Sequence, residues 1–144
     1  MITLLRRRIE VEVVRGQLTS EAVLEQAIAF ARLLGKVPIK CFEMPGFVTT
    51  RVILPLINEA IHVVMEGVAD AAEVDLAMKL GYDFRTGPLE WADRVGLDKV
   101  LNWLQHLHQE TGEPRFRVVW TRGMHQLSGA FGQYHQQIVV LNDR

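Results

Sequence analysis

Cysteine is nearly missing from this sequence. One residue in 144, Cys41, excludes an internal disulfide framework and a multi-cysteine metal site, and it suits a reducing compartment. Long apolar runs are missing as well, since none approaches the ~18 residues that a membrane span requires. Neither sign of charge dominates: 16 Lys and Arg stand against 17 Asp and Glu, for a net charge of −1. That gives no support to polyanion binding, which rests on clustered bases. The common nucleotide and nucleophile signatures are also absent. There is no G-x-G-x-x-G after a strand, no G-x-x-x-x-G-K-[ST] and no G-x-S-x-G. Gly129-Ala130-Phe131-Gly132 lacks a following helix and makes a poor phosphate cradle. The N-terminus, Met1 to Arg8, places three arginines after a very short apolar stretch, the reverse of a secretory leader. These absences lead us to expect a cytoplasmic protein with neither a nucleic-acid nor a membrane partner.

What is present is a globular composition. Apolar residues make up 49% and charged residues 23%. A prior of about 150 residues per domain gives one domain, which is small for an enzyme that must hold both a dinucleotide and a substrate. Ile9 to Val14 alternates apolar and acidic residues in the manner of a strand, and Arg15-Gly16-Gln17 breaks it. Thr19 and Ser20 offer N-caps to a helix whose apolar face we read as Val23, Ala27, Phe30, Ala31 and Leu34, with Gly35 as the stop. Lys36 to Cys41 reads as a second strand. The unit is β-α-β, with a crossover long enough for parallel pairing.

After the Glu43–Gly46 turn the character changes. Phe47–Met65 is apolar on nearly all sides, which predicts a helix central to a bundle or at a subunit interface, kinked at Pro55 and ended at Gly67. Asp70 and Glu73 have capping-box spacing for a helix that stops at Gly81. Pro88 suits the first turn of a short helix ending near Gly96, and Asp98 can cap a last helix ending at Gly112. From Glu113 the signal fades, apart from a short apolar run at Ile138–Leu141.

Five histidines are candidates for chemistry: His62, His106, His108, His125 and His135. His106 and His108 point about 200° apart on a helix and cannot share a metal, so no metal site is expected. His62, in an apolar helix, reads as an interior or interface residue. The segment from Gly46 to Gly112 carries ten acids against five bases, and caps and solvated faces account for most of them. On pattern alone, Glu12 reads as an outward-facing strand residue.

Four motifs in order and at compatible distances strongly resemble the 3-hydroxyacyl-CoA dehydrogenases. They are Val11-Glu12-Val13-Val14-Arg15-Gly16 with Thr19-Ser20, Leu34-Gly35-Lys36-Val37-Pro38, Pro45-Gly46-Phe47-Val48-Thr49-Thr50-Arg51 leading into Pro55-Leu56-Ile57-Asn58-Glu59-Ala60, and Asp75 to Gly81 followed by Gly87-Pro88-Leu89-Glu90 and Asp93-Arg94-Val95-Gly96-Leu97-Asp98. The resemblance implies a mostly α fold. A small β-α-β remnant of a Rossmann-type NAD-binding domain (1–44) precedes a helical dimerisation and substrate domain (45–117) and a divergent tail (118–144). It implies that Glu12 is the orienting partner of a catalytic histidine, which belongs just upstream and has no counterpart here. It places Thr50 where the family has an asparagine that helps at the substrate carbonyl. Pro45, Gly46, Gly87 and Pro88 fall at substrate-binding positions. No cofactor-binding residue is carried over, NAD belonging to the complete family enzyme. The expected partners are acyl-CoA, a second copy through Phe47–Met65, and a separate Rossmann-domain chain. The chain by itself is expected to be inactive, and a non-catalytic helical dimerisation or acyl-binding module is the alternative.

Overall fold

A computed structural model describes residues 9–118. They fall into two compact units that meet at Arg51 and Val52. Among the described residues the fold is mostly α, with five α-helices and one small parallel sheet.

The first unit is the β-α-β unit. β1 (Glu10–Arg15) and β2 (Val37–Phe42) pair in parallel, with Glu12 opposite Ile39 and Val14 opposite Cys41. Both strands begin one residue later than the alternation suggested. Between them runs α1 (Glu21–Leu33), whose N-cap is Ser20, its hydroxyl accepting the Val23 N–H. Gly35 closes the helix with φ +70. Its own N–H reaches the Arg32 carbonyl, and Lys36 N–H reaches the Ala31 carbonyl. This double closure needs a left-handed residue, which glycine adopts without steric cost.

The apolar face of α1 is not the one expected. Leu24, Ile28 and Ala31 are buried, whereas Val23, Ala27, Phe30 and Leu34 are exposed, Phe30 to 61%. The helix is apolar around much of its girth, and two strands cover only one stripe. The larger aliphatic i, i+4, i+7 set, 24/28/31, takes that stripe. The sheet shows the same shortage of cover. Every residue of β1 is half-buried, and Ile39 and Phe42 of β2 are exposed. Charge pairing supplements the thin core. Glu21 accepts from Arg15 at 2.8 Å and from Lys40 at 2.6 Å, joining α1 to both strands. The Lys40 hydrogen bond, ahead of the Arg15 charge, holds the Glu21 carboxyl below its ordinary value.

α2 (Thr49–Met65) starts two residues after the expected Phe47, because Gly46 and Phe47 both take positive φ and cannot continue a helix backwards. Its first three residues belong to the first unit. In the second unit, Leu54, Ile57, Ala60 and Ile61 of α2 are buried in one core with α3 (Ala71–Gly81), α4 (Pro88–Val95) and α5 (Leu97–Thr111). Full burial of a leucine or isoleucine side chain of this kind stabilises by about 1.5–3 kcal/mol. Both halves of the capping box at the start of α3 are made: Glu73 N–H to Asp70 Oδ1 at 2.9 Å, and Asp70 N–H to Glu73 at 3.2 Å. Asp98 is not the cap of α5. Gly96 occupies that position, with no capping side chain, and Asp98 sits in the first turn, where its charge suits the helix dipole.

Phe116 fills the end of this core, at a position that no hydrophobic period marks. A short 3-10 turn (Pro114–Phe116) follows α5 and buries the ring completely. Asn58 on α2 fastens the same segment, donating Nδ2 to the Arg117 carbonyl at 3.1 Å. Its Oδ1 is buried without a partner among the described residues. Met1–Arg8, Ile138–Leu141, His125, His135 and nearly all of the 118–144 tail lie outside the described residues.

One clasp orders the helical unit. The buried Asp75 of α3 accepts the Leu89 and Glu90 N–H groups of α4, both at 2.8 Å. Helix α4 needs this outside acceptor, because Gly87 at its N-cap has no side chain and Pro88 at its first position has no N–H. A Cβ on Gly87 would lie 2.2 Å from Asp75 Cγ. Asp75→Ala and Gly87→Ala should therefore each destabilise the helical unit by about 1–3 kcal/mol. The double variant should cost clearly less than the sum, as read by urea unfolding of all four proteins.

Candidate functional site

The residues singled out by sequence divide between the units. Glu12, Pro45, Gly46 and Thr50 lie in the first; Gly87 and Pro88 lie in the second.

In the first unit the structure brings the strand carboxylate to the start of α2. Glu12 is half-buried, and its Oε1 accepts the Thr49 N–H at 2.6 Å. Thr50, also half-buried, is the next residue, on the first turn of α2. The chain reaches them through a tight turn. Phe47 N–H bonds to the Met44 carbonyl at 2.9 Å and Arg51 N–H to the Gly46 carbonyl at 3.0 Å, while the Arg51 guanidinium donates to the Pro45 carbonyl at 3.4 Å. Pro45 and Gly46 thus present backbone carbonyls that are already engaged, and Gly46 provides the left-handed turn. Glu12 on the strand thus bonds to the residue that precedes Thr50 at the start of the helix. This junction can hold and orient polar groups. Among the described residues it has no titratable base beyond the carboxylate itself.

The neighbouring Cys41 has the surroundings of a structural thiol. It is buried, its Sγ lies 3.9 Å from the Val13 carbonyl, and burial, with a smaller push from the Glu12 charge, raises its thiol above the ordinary value. The described histidines sit elsewhere. His62 is on α2 and His106 and His108 are on α5, all within the second unit. His108 Nδ1 lies 3.0 Å from the Glu113 carbonyl. No group of three metal-ligating side chains occurs among the described residues.

The β1-to-α1 turn of the first unit differs from a glycine-rich phosphate loop. The β1-to-α1 connection has one glycine, Gly16, and the start of α1 already holds its own cap, Ser20, and its own acid, Glu21. A pyrophosphate there would meet a carboxylate where it needs free N–H groups.

Gly87 and Pro88 serve the Asp75 clasp described above. Beside them, Glu90 accepts from Lys79 at 2.5 Å and from Arg94 at 2.7 Å. The role of Asp75 was missed by sequence reasoning. The signal that could have found it is a helix opening with Gly-Pro, which cannot cap itself and so requires an acceptor from elsewhere.

Known proteins place these features in context. The family described as "3-hydroxyacyl-CoA dehydrogenase, C-terminal domain" matches residues 46–138. A probable 3-hydroxybutyryl-CoA dehydrogenase of Deinococcus radiodurans is 45% identical over 107 residues, covering 74% of this chain and 38% of the relative. The human mitochondrial hydroxyacyl-coenzyme A dehydrogenase is 41% identical over 103 residues, covering 72% of this chain and 33% of the relative. The crystal structure of a Ralstonia eutropha (S)-3-hydroxybutyryl-CoA dehydrogenase superimposes with a TM-score of 0.75 at 40% identity, covering 78% of this chain and 40% of that one. The chain therefore spans two-fifths or less of the length of these relatives.

The Lys79 hydrogen bond, ahead of the Lys79 and Arg94 charges, holds the Glu90 carboxyl below its ordinary value of 4.5. A lowered carboxyl stabilises the fold above the unfolded-state value and ceases to do so as the pH falls through the folded-state value. Wild type should thus exceed Glu90→Gln in melting temperature at pH 7. The difference should shrink below pH 4.5 and with added salt, because the pair is partly exposed.

Proposed function

The chain belongs to the 3-hydroxyacyl-CoA dehydrogenase C-terminal domain family, and on that footing we propose that it forms the dimerisation and acyl-CoA-binding portion of such an enzyme and is inactive by itself. The family reaction removes hydride from C3 of a 3-hydroxyacyl-CoA to NAD while a base takes the hydroxyl proton. A base must lie within hydrogen-bond reach of that proton. Glu12 can orient an imidazole, and the residues of this chain supply no histidine beside it among those described. Thr50 offers a hydroxyl at the position of the family's asparagine. It can donate to a substrate carbonyl, with shorter reach than an amide. Pro45 and Gly46 shape the turn that presents it, and Gly87 and Pro88 shape the start of α4.

The observation that carries this reading is the unfinished state of the first unit. A two-stranded sheet has two outer edges, and those of β1 and β2 pair with nothing among the described residues. The unit also exposes apolar side chains: Ile9, Val23, Phe30, Leu33, Leu34, Val37, Ile39 and Phe42. Two strands and a helix are marginal in isolation, and open edges invite pairing. A Rossmann-type half, carried on another polypeptide or continuous with this one, would cover that surface and bring the histidine, the glycine-rich loop and NAD. A second reading, a non-catalytic helical module that binds acyl groups, is favoured by the continuous core that the second unit has of its own.

Purified as these 144 residues, the protein should form no NADH from 3-hydroxybutyryl-CoA and NAD, and adding a Rossmann half from a relative should restore turnover. NADH formation by the unsupplemented chain, abolished in Glu12→Gln, would refute the proposal. Failure of the added half to bind would favour the module.

We also propose that the chain dimerises along Phe47–Met65. Val52 is 68% exposed beside half-buried Ile53 and Leu56, an apolar surface suited to a copy of itself. Light scattering should give the dimer mass at micromolar concentration, and Val52→Asp should give the monomer mass with an unchanged circular dichroism spectrum. A folded wild-type monomer would contradict it.

A further inference from the structure

We propose that Glu12 is a positioning residue that acts through the first turn of α2 to fix the placement of Thr50, independently of any histidine. The proposal rests on the reading above that Thr50 meets the substrate. It is carried by the way the turn before α2 is held. Gly46 and Phe47 adopt consecutive positive φ values, +78 and +44. A phenylalanine in that region is strained, and such strain persists only where the surroundings over-determine it. The bonds from Phe47 to Met44 and from Arg51 to Pro45 and Gly46 tie the turn to its own neighbours. The bond from Thr49 N–H to Glu12 ties it to β1, 37 residues away in sequence.

The helix has need of that carboxylate. The first turn of α2 contains no acidic residue, so the negative charge favoured at a helix N-terminus comes from the strand. A bond between an ionised acceptor and a backbone N–H is among the stronger kinds, and 2.6 Å is short for one. Thr50 follows Thr49 directly. Any slip of the first turn away from β1 therefore moves the Thr50 hydroxyl by a similar amount.

The two roles of Glu12 do not compete. Oε1 receives the Thr49 N–H, and Oε2 receives no hydrogen bond among the described residues. One oxygen holds the helix, and the other remains able to orient an imidazole. Removing the charge and removing the side chain should then differ in effect. Glu12→Gln keeps a carbonyl oxygen for Thr49, whereas Glu12→Ala keeps nothing.

The test is amide hydrogen exchange by NMR on the 144-residue chain, with acetoacetyl-CoA titrated in parallel and read at the Thr50 methyl group. Glu12→Ala should speed exchange at Arg51 on the order of tenfold while the β1 and β2 amides keep their rates. It should also weaken acetoacetyl-CoA several-fold. Glu12→Gln, which keeps the acceptor and loses the charge, should recover part of both, a rescue that mere loss of packing would not give. Unchanged Arg51 exchange in Glu12→Ala would overturn the proposal. Should Glu12→Ala unfold the first unit, the other two proteins decide. The Thr49 amide proton should be protected and far downfield in wild type and should move upfield, still protected, in Glu12→Gln. An unprotected Thr49 amide in folded wild type would overturn it. If wild type gives no acetoacetyl-CoA shift at Thr50, the substrate reading fails, and the exchange result still judges Glu12.

Discussion

The helical unit depends on a single buried carboxylate. Asp75 leaves water to accept two N–H groups from the start of α4. A buried charge with a vacant acceptor position is costly, so the carboxylate and the helix end satisfy each other or neither is satisfied. The consequence reaches the rest of the unit. With α4 fixed on α3, Leu89 and Ala92 face the core, the Gly96 corner turns the chain into α5, and Val100, Leu104 and Leu107 complete the wall against which Phe116 closes. The tight fit of Gly87 against Asp75 explains why a residue with no side chain stands at a helix cap, where Ser or Asp would ordinarily be favoured.

The first unit is held differently. Its buried residues are few: Leu24, Ile28, Ala31 and Cys41. Surface ion pairs on Glu21 add to them, and such pairs are weak and screened by salt. Its best-defined polar contact, from Glu12 to α2, sits where the family resemblance places catalytic machinery. The two units thus have opposite characters. One is a finished core with an apolar helix face to spare. The other is a two-stranded sheet and one helix with exposed apolar side chains, the surface that a Rossmann-type half would bury in the proposed enzyme.

Much of this was legible beforehand, for identifiable reasons. Helix stops at Gly35 and Gly112, the Asp70–Glu73 box and the parallel strand pair follow from local chemistry, which one stretch of sequence contains in full. The apolar face of α1 is not legible in this way, because the choice between two apolar stripes depends on what covers them, and that is not local. Hydrophobicity alone puts the start of α2 at Phe47, whereas the backbone conformation at Gly46–Phe47 decides it. Phe116 was overlooked because an isolated aromatic after a glycine stop carries no period. At the site, the pattern made Glu12 a solvated strand residue and the resemblance made it a histidine partner. Its bond to Thr49 came from neither, since it joins residues 37 apart.

The central claim is that the helical unit stands by itself while the β-α-β unit depends on cover from elsewhere. Native-state amide exchange of the 144-residue chain tests it most directly, because protection reports local opening free energy segment by segment. The account predicts slow exchange across Val52–Val64 and fast exchange in Val11–Val14 and Val37–Lys40, with the strands slowing when a Rossmann half is added. Equal protection of both regions in a proven monomer, with nothing added, would contradict it.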